Sequence, residues 1–339
     1  MENKKSIKAV GLVSGGLDSL LSAKLILDQG IEVIGLHFIT PFSQAPAQDP
    51  GEGNIVQRQA KKLGFEYRPL YLGEEYIELI KNPKWNYGAH INPCIDCHIY
   101  FLRKAGDLIK EEDAQFVFTG EVEGQRPMSQ KMYTLRMIEK QSGLEGYLLR
   151  PMSALLLEPT IPEKMGLVDR TRLLSLSGRS RKEQFKLAEK FGLDEYLTPA
   201  GGCLLTDPRF SARLRDLFSH GVSDLNSIQL LKLGRHFRLD PHTRLIVGRD
   251  ERENRILANL ALETDVLLEA EGGGSPLSIL RGRVTDDLIN LAAAITCRYS
   301  RERQNVHAKV RVRKGDSPDI ESLIPSSSDP KWIESLRIS

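Results

Sequence analysis

Apolar and polar positions alternate in blocks along the first half of this chain. The run Lys8-Ala9-Val10-Gly11-Leu12-Val13 is short and apolar and ends in glycines, which predicts a strand. The alanine- and leucine-rich stretch 20–28 follows at once and predicts a helix. The same reading places strands over 31–38, 66–72 and 115–119, helices over 55–63 and 97–110, and a fifth strand at 147–149. Strand and helix in alternation imply an α/β fold, a doubly wound parallel sheet with its ligand loops at the carboxyl ends of the strands. Residues 41–53 are turn-formers that interrupt the second crossover and predict a mobile flap.

Further on the pattern changes. Residues 151–166 are broken by prolines, 177–182 cap a helix running to about 191, and a helical stretch after Pro208 precedes a β-rich segment over 229–283. The apolar stretch 288–297 is helix-like, and 315–339 is rich in Ser, Pro and Asp. The expected organisation is a catalytic domain over 1–207, a smaller α+β domain over 208–315 and a flexible tail over 316–339. With 40% hydrophobic and 27% charged residues in 339, the composition is that of a globular protein. The net charge of +2 is unevenly spread: within 297–314, Arg298, Arg301, Arg303, Lys309, Arg311, Arg313 and Lys314 face only Glu302, a candidate polyanion surface. Residues 1–5 lead into a glycine-interrupted strand rather than a signal peptide, and no apolar run reaches membrane-spanning length, so a cytoplasmic protein with no membrane partner is expected.

Chemistry enters at Ser14-Gly15-Gly16-Leu17-Asp18-Ser19, between the first strand and the first helix. Adjacent glycines let the backbone approach a ligand, and the unpaired N–H groups of a helix's first turn attract an anion, here a phosphate. Asp18 stands where a Walker loop has lysine, and a carboxylate beside phosphates implies Mg²⁺. His37, Phe38 and Gly120 fall at neighbouring strand ends.

The four cysteines of a reducing compartment point to metal or redox chemistry rather than a disulfide framework. Cys94 and Cys97 stand in Asn92-Pro93-Cys94-Ile95-Asp96-Cys97-His98 ahead of a helix, and Cys203 in the glycine turn Ala200-Gly201-Gly202-Cys203. Cys297 lies in the apolar helical stretch and reads as a packed hydrophobe. Three accessible thiols suit an iron–sulfur cluster with one open iron, a persulfide-carrying cysteine with a redox dithiol, or zinc completed by His98 or His90.

The six-residue loop resembles the SGG-x-DS loop of the PP-loop ATP pyrophosphatases, and with Asn-Pro-Cys-x-x-Cys and the later Gly-Gly-Cys it resembles the tRNA thiolation enzymes, the 2-thiouridylases and 4-thiouridine synthetases, over 7–207. That resemblance implies an adenine nucleotide α-hydrolase-like fold and an ATP-dependent sulfurtransferase that adenylates a uridine oxygen and then transfers sulfur. It implies Ser14, Gly15, Gly16, Asp18 and Ser19 at the triphosphate and His37, Phe38 and Gly120 near the adenosine; Arg150, Arg179 and Arg181 are candidates for phosphates of ATP or tRNA and equally for surface ion pairs. Asp18, Cys97 and Cys203 are the implied catalytic residues, the two cysteines as the sulfur-handling pair. Cys94 stands where some 2-thiouridylases have aspartate, which favours the branch in which Cys94, Cys97 and Cys203 hold a [4Fe-4S] cluster. The implied partners are tRNA and a sulfur donor, sulfide or a persulfide carrier; homodimer formation stays open. The stretch from Gly234-Arg235-His236-Phe237-Arg238 through Arg249 to Asn254 resembles the NFACT RNA-binding domain, implying Arg235, Arg238 and Arg249 as RNA contacts; His236, Phe237 and His242 among these basic residues suit phosphate contacts with occasional base stacking, a solvated β-domain surface being the alternative, and Arg311, Arg313 and Lys314 of the basic stripe are further RNA-contact candidates. A PP-loop ligase forming an amide-like bond and a non-catalytic RNA-binding protein are the rival readings.

Overall fold

The structure is a computed structural model and describes residues 6–43, 53–197, 203–305, 307–315, 320–325 and 329–339. The chain divides into two units, Met1–Leu204 and Leu205–Ser339.

The first unit is the expected parallel sheet. Strands β1 (Lys8–Leu12), β2 (Glu32–Ile39), β3 (Glu66–Tyr71), β4 (Phe116–Thr119) and β5 (Leu148–Leu149) stand in the order β3-β2-β1-β4-β5, and every pairing is parallel. Between them run helices α1 (Leu17–Leu27), α2 (Ile55–Leu63), α3 (Glu74–Lys81), α4 (Cys94–Glu112) and α5 (Met132–Ser142), followed by α6 (Ile161–Lys164) and α7 (Lys182–Lys190). Side chains alternate across a strand, so each face has its own core. Ala9, Val33, Phe116 and Phe118 pack with Leu20, Ala23 and Ala188 on one face. Val10, Ile34, Leu36 and Val117 pack with Leu102, Ala105 and Ile138 on the other. The strand order reverses between β1 and β4, the place where a doubly wound sheet opens a crevice.

Two differences from the sequence reading matter for the site. Helix α4 begins at Cys94 rather than 97, so Cys94 and Cys97 share its first turn. Helices α3 and α5 have no counterpart in the sequence reading, and α3 supplies Tyr76 to the cysteine region. The expected flap over 41–53 falls largely outside the described residues, as do Ala200, Gly201 and Gly202.

The second unit carries α8 (Pro208–Ser219) and α9 (Leu225–Leu230), then β6 (Arg235–Asp240), β7 (Thr243–Val247), α10 (Glu251–Leu260), β8 (Val266–Ala270), β9 (Ser278–Gly282), α11 (Asp286–Arg298), β10 (Val310–Lys314), β11 (Ile320–Leu323) and α12 (Pro330–Ser335). Its six strands form one antiparallel sheet in the order β11-β10-β8-β9-β7-β6. The β-rich segment 229–283 thus also holds a ten-residue helix, started by the Asp250 side chain accepting from Glu253 N–H. Cys297 lies buried in α11 among Phe237, Leu245 and Ile295, the packing role expected of it. The expectation of a flexible tail is corrected by the fold. Strand β11 pairs with β10, Ile333 of α12 is buried in the same core, and Ile338 N–H donates to His236 O at 2.9 Å. Apolar side chains spaced through a polar segment were enough to dock it.

Candidate functional site

The Ser14–Ser19 loop turns off the end of β1 as its composition requires. Gly15 has a φ of +79°, which L side chains rarely adopt, and a Cβ there would meet Ile55 Cγ2 at 2.9 Å. Gly16 is the extended cap of α1 with no side-chain cap, leaving first-turn N–H groups for a ligand. The Ser19 hydroxyl donates to Gly16 O at 2.8 Å and lies 3.4 Å from that of Ser14, closing the loop on itself. Gly120, at the end of β4, comes so close that a Cβ would stand 2.5 Å from Ser19 N. A side chain at 120 would push the helix start away from the sheet.

Asp18 is held from two sides. Its Oδ2 accepts from Gln125 Nε2 at 2.8 Å and from Arg181 Nη2 at 2.9 Å, and Gln184 Nε2 donates to Gln125 Oε1 at 3.0 Å. Asp18 Oδ1 and the Nε and Nη1 of Arg181 are buried with no hydrogen-bond partner. An orphaned carboxylate oxygen beside orphaned guanidinium N–H groups is a pattern that a metal-bound phosphate would complete, so these residues fit Mg²⁺ and ATP. His37 Nδ1 lies 3.0 Å from Val13 O, and burial lowers its pKa. Phe38 stacks on Phe101 with ring centroids 4.4 Å apart. Arg179 is exposed. Arg150 is not a phosphate partner. Its guanidinium, 2% exposed, is used up by Glu121 at 3.1 Å, Glu139 at 2.8 Å and Leu135 O at 3.0 Å.

The cysteines occupy the neighbouring strand end. Cys97 is buried, with its sulfur 3.1 Å from the Tyr76 hydroxyl. Burial drives its pKa up, and the charges of Cys203 and Cys94 nearby push it further the same way. Cys203 is exposed, bridges to Ser43, and is followed by Leu204 N–H donating to Phe42 O at 2.9 Å. Phe42 in turn packs 6.0 Å from Tyr76. A few residues earlier in the chain, Leu197 N–H donates to Gly15 O at 2.7 Å. One segment therefore touches the nucleotide loop at one end and the cysteine region at the other.

Cys94 differs from its neighbours. Burial pushes its thiol up, but the imidazolium of His98 one turn along, with Ser129 and Arg126, brings it down to about 7. His98 stands between Cys94 and Glu121, its Nδ1 2.9 Å from Glu121 Oε1. Burial works against the charged ring, and the two anionic neighbours overcome it and raise its pKa to about 10. Burial likewise opposes ionisation of Glu121, but Arg150 and His98 hold its carboxyl at about 2. The signal for this relay in the sequence is Cys and His at i and i+4 on one helix, but only the fold brings in Glu121 and Arg150. Among the described residues no group of three or more His, Cys, Asp and Glu side chains is set to hold a metal ion. With Cys97 engaged by Tyr76 and Cys94 by His98, the thiols do not form the donor set of a [4Fe-4S] cluster as placed, nor a zinc site.

In the second unit, Arg311 and Arg313 alternate with buried Val310 and Val312, placing both on the outer face of β10, where Arg311 lies 3.0 Å from Glu269; Lys314 ends the strand, exposed. Arg235 packs over the Tyr299 ring at 4.6 Å, Arg238 is paired with Asp216, and Arg249 is exposed with Glu253 at 3.4 Å. Phe237 and His236 are not stacking partners. Both are buried, Phe237 in the sheet's core and His236 with Nε2 2.8 Å from Leu233 O, because both lie where β6 meets the core. His242 is exposed in the β6–β7 turn.

Comparison with known proteins matches residues 5–158 to the family described as thiamine biosynthesis protein (ThiI), and residues 234–329 to the NFACT protein RNA binding domain. A tRNA-specific 2-thiouridylase MnmA of Nitratidesulfovibrio vulgaris is 30% identical over 97 residues, 27% of this chain and 28% of that one. A tRNA-specific 2-thiouridylase MnmA of Pseudomonas fluorescens is 25% identical over 339 residues, 94% of this chain and 84% of that one. A solved 4-thiouridine synthetase–RNA complex with bound ATP aligns at 19% identity and a TM-score of 0.38, over 66% of this chain and 52% of that one.

Proposed function

From a PP-loop domain of the tRNA-thiolation family joined to an NFACT-type RNA-binding domain, we propose that this chain is an ATP-dependent tRNA uridine sulfurtransferase. The observation that carries the reading is a pair of contacts close together in the chain: Leu197 meets the nucleotide loop at Gly15, and Cys203 meets Ser43 beside the cysteine region. Adenylation and sulfur transfer need those two places side by side.

A uridine oxygen attacks the α-phosphate of ATP and pyrophosphate leaves. The helix N–H groups of the loop and the free N–H groups of Arg181 stabilise the charge that develops on the phosphates. Mg²⁺, held through Asp18 Oδ1, would supply further neutralisation there. A sulfur donor leaves a persulfide on one of the pair Cys97 and Cys203. The outer sulfur bonds to the activated uridine carbon, the C–O bond breaks and AMP departs. The second cysteine then attacks the carrier's S–S bond, giving a protein disulfide and the thiolated base, and an external thiol resets the pair. Exposed Cys203 is the carrier on this reading and buried Cys97 the resolving thiol. The Cys94–His98 pair stands beside them as thiolate and proton holder.

The charges of Cys94 and Cys203 acting on Cys97 are the feature that favours a cluster instead, and one series separates the two. Purified chain is assayed for pyrophosphate release, tRNA thiolation and iron. Cys97→Ser and Cys203→Ser are expected to abolish thiolation while pyrophosphate release persists. If Cys94→Ser loses both iron and thiolation, the cluster is the sulfur centre; if it thiolates iron-free, the persulfide route stands. Thiolation surviving in Cys203→Ser contradicts both.

A further inference from the structure

The second unit holds a cavity of about 300 Å³ whose walls include Arg209, Arg213, Arg249 and Arg337. Arg209 and Arg213 come from α8 and Arg337 follows α12, all outside the residues matched by the RNA-binding family, while Arg249 lies within them. Its charges do not balance. Glu253 holds Arg249 at 3.4 Å and Glu334 holds Arg337 at 2.7 Å. No carboxylate lies within ion-pair distance of Arg209 or Arg213 among the described residues.

Arg213 is the telling residue. It is 7% exposed, and its Nη1 and Nη2 donate to Leu231 O at 2.8 Å and Gly234 O at 3.2 Å. Those bonds fix the guanidinium plane and leave Nε buried with no acceptor. Burial of this charge is costly and the guanidiniums of Arg249 and Arg337 add repulsion, which the more distant carboxylates of Asp207 and Glu253 offset in part. The fold gathers four guanidiniums here and pairs two of them, Arg249 and Arg337, with carboxylates of its own. Planar guanidinium forks match the oxygens of a tetrahedral oxyanion, and the volume admits a phosphate with part of a sugar.

We propose that this cavity is a phosphate-binding subsite, with Arg213 as its fixed donor and Arg209, Arg249 and Arg337 closing on the oxygens. With the thiolation reading, on which this choice of source rests, the phosphate belongs to the tRNA backbone. It would set the register of the RNA on the domain without reading bases.

The test uses the full chain and the double variant Arg209→Gln/Arg337→Gln, both positions being exposed. Unmodified tRNA transcript is titrated at several salt concentrations, and inorganic phosphate is titrated separately by calorimetry. The expected result is about a tenfold loss of tRNA affinity with a salt slope shallower by about 0.8, as for one phosphate left unneutralised. If only inorganic phosphate binding is lost, the site stands and its ligand is a small phosphate compound. If wild type binds no tRNA yet loses phosphate binding on substitution, the cavity stands and the thiolation reading falls. Unchanged affinity, slope and phosphate binding overturn the proposal, and Arg213→Lys, which keeps the charge but loses the fork, separates fold damage from loss of the subsite by retaining partial binding.

Discussion

The Glu121 network of the first unit and the arginine cluster of the second treat buried charge in opposite ways. In the first, Glu121 sits between Arg150 and His98, and Arg150 also takes Glu139. In the second, Arg213 Nε and both terminal nitrogens of Arg244 are buried without partners, and Arg209 has no carboxylate near it among the described residues. Closed networks fix reactive groups in place, as bond-making needs. Open arrangements wait for charge from outside, as polyanion docking needs. The contrast assigns chemistry to the parallel sheet and grip to the antiparallel one.

The largest expected effect breaks the closed side. Arg150→Met removes the cation that Glu121 and Glu139 share, leaving buried Glu121 with His98 as its remaining charge partner, and is expected to cost about 3 kcal/mol of stability, read by urea unfolding. Because the Glu121 carboxyl is held at about 2, below its ordinary 4.5, its contribution is fully present above pH 4.5 and is lost as pH falls towards 2. The variant is therefore expected to lose much of its acid sensitivity over that window. An unfolding midpoint and acid profile equal to wild type would show that the network is not closed.

Asp18→Asn keeps shape and removes charge. A loss of about 100-fold in pyrophosphate release, equivalent to about 2–3 kcal/mol of transition-state stabilisation, is expected in a steady-state pyrophosphate assay. Undiminished release would remove Asp18 from the mechanism.

Next comes the Cys94–His98 pair. Alkylation of Cys94, followed by peptide mass spectrometry, is expected to inflect near pH 7 in wild type and to move upward in His98→Gln, where burial is no longer offset by an imidazolium. An inflection that stays near 7 in the variant would mean that His98 does not hold the thiolate.

The smallest effect is on the open side. Replacing Arg311, Arg313 and Lys314 together is expected to flatten the salt dependence of tRNA binding by about 2, with a modest loss of affinity, because a face that neutralises fewer phosphates displaces fewer counterions. An unchanged slope would assign that face of β10 to solvent.

Much of this contrast is legible in sequence, and unevenly. The nucleotide loop could be read because glycines at 15 and 16 and the helix start after them are local requirements. Helix α3 escaped because its apolar positions, Tyr76, Ile77 and Ile80, form a stripe too short to stand out, yet it delivers the hydroxyl that meets Cys97. Arg150 shows the limit of reading charge from sequence: a basic residue at a strand end looks like a phosphate partner until two carboxylates from elsewhere occupy it. Phe237 and His236 fail in the same way, since interleaving with arginines does not show that both faces of β6 are covered at these two positions. The docked tail escaped because composition averages over it, whereas Ile333 alone anchors α12 in the core.

The central claim is that the first unit activates a tRNA uridine with ATP and replaces its oxygen with sulfur. The most direct measurement is mass spectrometry of tRNA nucleosides from cells lacking this gene, and from the same cells expressing the wild-type chain or Asp18→Asn. The account expects one thiolated uridine to be absent in the deletion, restored by the wild-type chain and not by the variant. An unchanged thiouridine complement in the deletion would contradict it.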